Sequence, residues 1–111
     1  TPHQRDQAAR FRVEQITMRA FADGARPGIA GDVYVSIDLD ALDPAIAPGV
    51  SHREPGGLTV RDVLGMLHFI DGRIVGADVV EYNPSQDVSG LTAAVAAKFV
   101  KELLAKVQRT V

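Results

Sequence analysis

The sequence predicts an α/β fold with a mainly parallel sheet. Two apolar runs, residues 33–37 and 74–80, read as strands. Each is followed by a stretch of helical character, at residues 59–70 and 91–107. Strand–helix–strand–helix order requires crossover connections. Such crossovers are right-handed and leave the strands parallel.

The elements follow in order. Residues 4–10 are polar and helix-compatible, and residues 11–18 alternate in part, which predicts a short strand. Asp23-Gly24-Ala25-Arg26-Pro27-Gly28 is turn chemistry. Val33-Tyr34-Val35-Ser36-Ile37 is a strand. In residues 38–57, Pro44, Pro48 and Pro55 with Gly49, Gly56 and Gly57 exclude a regular helix, so a long loop is expected. Open α/β sheets bind ligands at such loops, beyond the carboxyl ends of their strands. Thr59 is a good helix N-cap, with Asp62 three residues on as a weaker form of the capping box. Val63, Leu64, Leu67 and Ile70 form one apolar stripe, and Asp71-Gly72 stops the helix. Residues 74–80 are nearly all apolar, as in a strand buried on both faces, with Asp78 the odd charge. Residues 82–90 form a second loop, and the alanines of residues 91–107 suit a closely packed helix.

Composition bounds the function. The 111 residues make one domain's worth of chain. A formal charge of −2 gives no basic patch for nucleic acid or an anionic membrane surface. The absence of cysteine rules out disulfides and thiolate metal sites. No apolar run approaches the roughly 18 residues that suggest a membrane span.

The chemistry concentrates at Ser36-Ile37-Asp38-Leu39-Asp40-Ala41-Leu42-Asp43-Pro44. Asp38 and Asp40 stand two residues apart where the strand ends. On an extended backbone they point the same way and repel unless a cation lies between them. Hard divalent cations prefer such oxygen ligands. Asp-x-Asp after a strand is equally compatible with a solvated turn or a helix cap.

The residues that follow decide between these. Together with Ala47-Pro48-Gly49 and Pro55-Gly56-Gly57-Leu58, the run S-x-D-x-D-x-x-D-P resembles the signature of the ureohydrolase family of arginases and agmatinases. A second block, Gly76-Ala77-Asp78-Val79-Val80-Glu81-Tyr82-Asn83-Pro84, is similar to the family's following strand, and residues 91–104 to its closing helix. The details V-S-H-x-E-P-G-G and G-A-D-V-V-E look closest to plant-type arginases. The resemblance runs from about residue 11 to residue 106. It implies the C-terminal part of a three-layer α/β/α sandwich.

By the same resemblance, Asp38 and Asp40 match two of six ligands to a pair of Mn2+ ions. Glu81 matches the glutamate that pairs with a substrate guanidinium, and His52 lies in a substrate-facing loop. Asp43 shapes that loop, and Asp78 is read as structural. His68, on a helix beside the apolar stripe, and His3, near a chain end, carry no site signal. The family's G-G-D-H and D-A-H-x-D blocks have no counterpart here. Residues 1–111 are therefore expected to be the C-terminal portion of one ureohydrolase domain, with the N-terminal portion absent. Such a piece is expected to be inactive alone, since two carboxylates do not hold two divalent ions. No residue of this chain is assigned as the proton donor.

The implied reaction is manganese-dependent hydrolysis of a guanidino group to urea and an amine. L-Arginine giving L-ornithine is the leading case. Agmatine or another guanidino compound is the alternative, and a non-catalytic ureohydrolase-like subunit or fragment is a further one. The expected partners are a small guanidino substrate and copies of the same chain, as a trimer or hexamer, with no nucleic acid and no membrane. The compartment is left open between cytoplasm and an organelle.

Overall fold

The computed structural model describes residues 1–109. Helix α1 (Pro2–Arg10) is followed by α2 (Met18–Ala22), strand β1 (Asp32–Asp38), helix α3 (Val60–Phe69), strand β2 (Arg73–Val80) and helix α4 (Leu91–Arg109). Short 3-10 turns at Leu39–Ala41 and Pro84–Gln86 follow the two strands. β1 and β2 pair in parallel, from Asp32 opposite Arg73 to Asp38 opposite Val80, with one irregularity between Val33 and Tyr34. Both strands therefore end together, and the chain leaves them side by side.

Helices α3 and α4 form where the apolar spacing requires them. Thr59 caps α3 in a reciprocal box: its hydroxyl accepts the Asp62 N–H at 3.0 Å, and Asp62 accepts the Thr59 N–H at 2.8 Å. The core joins Ile37 and Ile74 of the sheet to Val63, Leu64, Leu67 and Ile70 from the α3 segment and Val95, Phe99 and Leu103 of α4. Phe99 is completely buried. Val33, Val35 and Val79 pack against this core.

The other face of the sheet is polar and uncovered. Tyr34, Ser36 and Asp78 share it, and Asp78 accepts hydrogen bonds from Ser36 Oγ at 2.6 Å and Tyr34 Oη at 2.8 Å. These two hydroxyls, Ser36 first, hold the Asp78 carboxyl below its ordinary range. Asp78 thus has a structural role, tying β1 to β2. The Tyr34 ring lies over Gly76, where an added Cβ would stand 2.8 Å from it.

Two sequence expectations are corrected. Residues 11–18 do not form a strand. Arg12 adopts φ 53°, the segment runs as a loop into α2, and Phe11 and Val13 stay exposed. Among the described residues its alternation has no neighbouring strand to pair with. β2 is not buried on both faces either: Val75 is 55 % exposed. The described residues give the sheet one covered face, and the radius of gyration of 14.7 Å exceeds the ~13 Å of a compact chain this long.

Candidate functional site

The site lies where the paired strands end. β1 stops at Asp38, and the 3-10 turn begins at once. Asp38 caps it: its Oδ1 accepts the Asp40 N–H at 2.8 Å. Asp40 therefore sits within the turn, and the strand alternation expected to align the two carboxylates does not reach it. Leu39, between them, is completely buried and anchors the turn in the core.

The loop that follows is fastened at its base. Asp43 N–H donates to the Leu58 carbonyl, and Leu58 N–H donates to the Ala41 carbonyl, both at 2.9 Å. Leu42 and Leu58 form a parallel bridge there. Asp43 also accepts the N–H groups of Ala45 and Gly56, each at 2.9 Å. Those donors, Ala45 first, lower its carboxyl pKa, so Asp43 shapes the loop as expected. Gly57 lets the strands of the bridge meet, since a Cβ would stand 2.7 Å from the Asp43 nitrogen.

β2 ends in an unusual backbone. Glu81 adopts φ 67°, a left-handed conformation that L-residues with large side chains rarely take. Such outliers cluster at functional sites. Beyond it, Asp87 knots the second loop onto α4. Its carboxylate accepts from Val88, Thr92 and Ala93 N–H and from Tyr82 Oη at 2.8–3.1 Å. Partial burial pushes this carboxyl up, but the hydrogen bonds outweigh it and hold it far below the ordinary carboxylate range.

These two turns bring three side chains together. Ligand atoms of Asp40, His52 and Glu81 all lie within 4.8 Å of one another. His52 Nδ1 stands 3.6 Å from Asp40 Oδ2, beyond hydrogen-bond length. The His52 side chain is 84 % exposed and that of Asp40 only 23 %. Asp40 Oδ1 is buried and has no hydrogen-bond partner. A buried carboxylate oxygen without a partner is costly, and a cation satisfies it. Its unpartnered oxygen makes Asp40 the member of the trio suited to hold a divalent ion such as manganese, with His52 and Glu81 beside it. Asp38 is exposed at the rim and outside this trio.

The sequence reading did not single out Arg53, Asn83 or Thr92, which tie the first loop to the second loop and to α4, or Tyr82 and Asp87, which brace the second loop. Buried Thr92 accepts the Gly49 N–H at 2.7 Å, and Asn83 N–H donates to the Gly49 carbonyl at 2.8 Å. The one available signal was Asp87, a capping residue type just ahead of a helix.

The comparisons with known proteins agree with this fold. The model of the Arginase family matches residues 4–105. Arginase 1, mitochondrial, of Arabidopsis thaliana is 56 % identical over 115 residues, covering 95 % of this chain and 33 % of the relative. An agmatinase of Halalkalibacterium halodurans is 45 % identical over 82 residues, covering 70 % of this chain and 28 % of the relative. Among solved structures, arginase from Medicago truncatula superposes with a TM-score of 0.87 at 48 % identity, covering 96 % of this chain and 36 % of that one. A triple mutant of the T. brucei arginase-like protein bound with Mn2+ gives a TM-score of 0.87 at 33 % identity, covering 96 % and 40 %. The chain spans about a third of the length of the curated relatives it matches. The sheet order, the paired strand ends and the family match together place this chain in the Arginase family.

Proposed function

We propose that the full-length polypeptide carrying this segment is a manganese-dependent ureohydrolase that converts L-arginine to L-ornithine and urea. The observation that carries the reading is the convergence of Asp40, His52 and Glu81 at the strand ends, with the buried Asp40 oxygen left unpartnered. Residues 1–111 are proposed to be the C-terminal portion of one ureohydrolase domain. Two Mn2+ ions are proposed for the complete site, with Asp38 and Asp40 among their ligands. When bound, the metal supplies the Lewis acidity that makes water a competent nucleophile near neutral pH.

Substrate positioning is the role proposed for this chain's own side chains. Guanidinium is a resonance-stabilised cation and a poor electrophile, so it must be held in one orientation. Glu81 does this through charge-assisted hydrogen bonds to the guanidinium nitrogens. The left-handed turn at Glu81 directs its carboxylate toward Asp40 and His52 rather than along the strand. His52, on the exposed side of the trio, borders the substrate. In the net reaction water adds its oxygen to the guanidino carbon. The carbon–nitrogen bond to the side chain breaks, and a proton joins the departing amine.

Agmatine is the alternative substrate, supported by the agmatinase relatives. A panel of arginine, agmatine and guanidinobutyrate separates the cases. Asp40→Ala in the full-length protein is expected to abolish manganese-dependent urea release, and full activity in that variant would sink the metal assignment. A homo-oligomer, trimer or hexamer, is proposed, and sedimentation velocity on the full-length protein reads it. The mitochondrial and chloroplastic names of relatives support an organellar location, which imaging of the tagged full-length protein tests.

A further inference from the structure

One side chain spans the gap between the loop that carries His52 and the turn that follows Glu81. Arg53 Nε donates to the Pro48 carbonyl at 2.9 Å, and its Nη2 donates to the Gln86 carbonyl at 2.9 Å. Pro48 lies in the first loop and Gln86 in the second. The guanidinium fork suits two separate acceptors in fixed directions, which a lysine ammonium does not match. A second tie runs beside it: Asn83 Nδ2 donates to Ser51 Oγ at 2.9 Å.

The residues on either side of His52 are thus both anchored to the segment just beyond Glu81. His52 itself is 84 % exposed, with too little packing to fix its ring. Its approach to Asp40, at 3.6 Å, depends on where its neighbours hold the backbone. The anchors fix the separation of His52 from Glu81, while Asp38 and Asp40 are held independently by the 3-10 turn and the buried Leu39.

We propose that Arg53 is a positioning residue that acts through His52, setting affinity for the guanidino substrate without setting affinity for the metal. The proposal rests on the reading of His52 and Glu81 as substrate-facing. Small displacements of a positioning group cost large factors in rate or binding.

The test is a double-mutant cycle in the full-length protein. Arg53→Ala is expected to raise KM for the guanidino substrate about tenfold, with kcat and manganese affinity changed less than about twofold. Arg53→Lys, which keeps the charge without the fork, is expected to fall between. In a His52→Ala background, Arg53→Ala is expected to add nothing, because the two act as one unit. Independent, additive losses overturn the proposal, as does an unchanged KM or a parallel fall in kcat and manganese affinity. A readout free of turnover is the 1H–15N spectrum of the His52 imidazole. Arg53→Ala is expected to shift or broaden it, and an unaltered spectrum overturns the proposal whatever the activity. Absence of manganese-dependent urea release by the unsubstituted full-length protein would strike the ureohydrolase reading instead, so the two failures are distinguishable.

Discussion

Glu81 leaves β2 through a left-handed backbone at φ 67°. For an L-residue this conformation costs roughly 1–2 kcal/mol, while glycine adopts it freely. Glu81→Gly is therefore expected to lose urea release while matching or exceeding the parent in stability, because the relieved strain offsets the added chain entropy of about 0.4–1 kcal/mol. Urea denaturation beside an activity assay reads both; a clear loss of stability would show that the side chain, not the backbone, dominates here. Gly57 behaves in the opposite sense. A Cβ there meets main-chain atoms of Leu42 and Asp43 at 2.7 Å, and backbone cannot swing aside. Gly57→Ala is expected to cost about 1–3 kcal/mol in a denaturation midpoint analysis. At this scale the sequence was legible in part. Asp40, His52 and Glu81 stand out by type and context, but the close approach of the trio depends on Glu81's dihedral angle, which no residue pattern announces. Strand alternation would align Asp38 with Asp40, but the strand ends two residues short of Asp40.

Between elements, α4 is fastened to α3 by charge. Glu102 accepts from Lys98 Nζ at 2.6 Å and faces His68 Nε2 at 3.2 Å. Lys106 Nζ reaches the His68 and Ile70 carbonyls at the end of α3. Placing a cation there complements the helix dipole. Lys98 first, then His68, draws the Glu102 pKa from 4.5 down to about 2. A carboxylate with a lowered folded pKa adds stability above its unfolded value. That contribution is lost as pH falls from about 4.5 through about 2. Glu102→Gln is expected to flatten the stability–pH curve across this window, and an acid titration followed by circular dichroism measures it. Thr59→Ala removes one half of a reciprocal cap and is expected to cost about 1 kcal/mol. Both strands and both long helices were legible because their periodicity agrees with their packing. Residues 11–18 misled because alternation alone does not supply a partner strand. The polar network of Arg53, Asn83 and Thr92 was illegible for another reason. It joins residues more than thirty positions apart through main-chain carbonyls and small polar side chains, which no sequence spacing encodes.

Across the whole molecule, the described residues form a flat body of 41 × 38 × 24 Å, with helices over one sheet face. Tyr34 and Val75 on the sheet, and Val100 and Leu104 on α4, remain exposed. A two-stranded sheet with open edges and uncovered apolar residues invites association. The 111-residue segment expressed alone is expected to sediment above monomer mass and to release no urea; a clean monomer at micromolar concentration would count against the first part. The fold class was readable because crossover order and the family signature agree. The half-open sheet was not, since a uniformly apolar strand gives no sign of which face meets a neighbour.

The bridge between Leu42 and Leu58 has a consequence for how such a site changes over generations. It closes the intervening loop at its neck, and the buried Ala47 and Val50 hold the loop's middle, so the cost of ordering it is met largely below the tip. Residues 51–56 at the tip are all exposed and bear little of the core. The tip is therefore an exchangeable cassette. Substitutions among Ser51, His52, Arg53 and Glu54 can remodel what the site admits, while the turn holding Asp38 and Asp40 stays as it is.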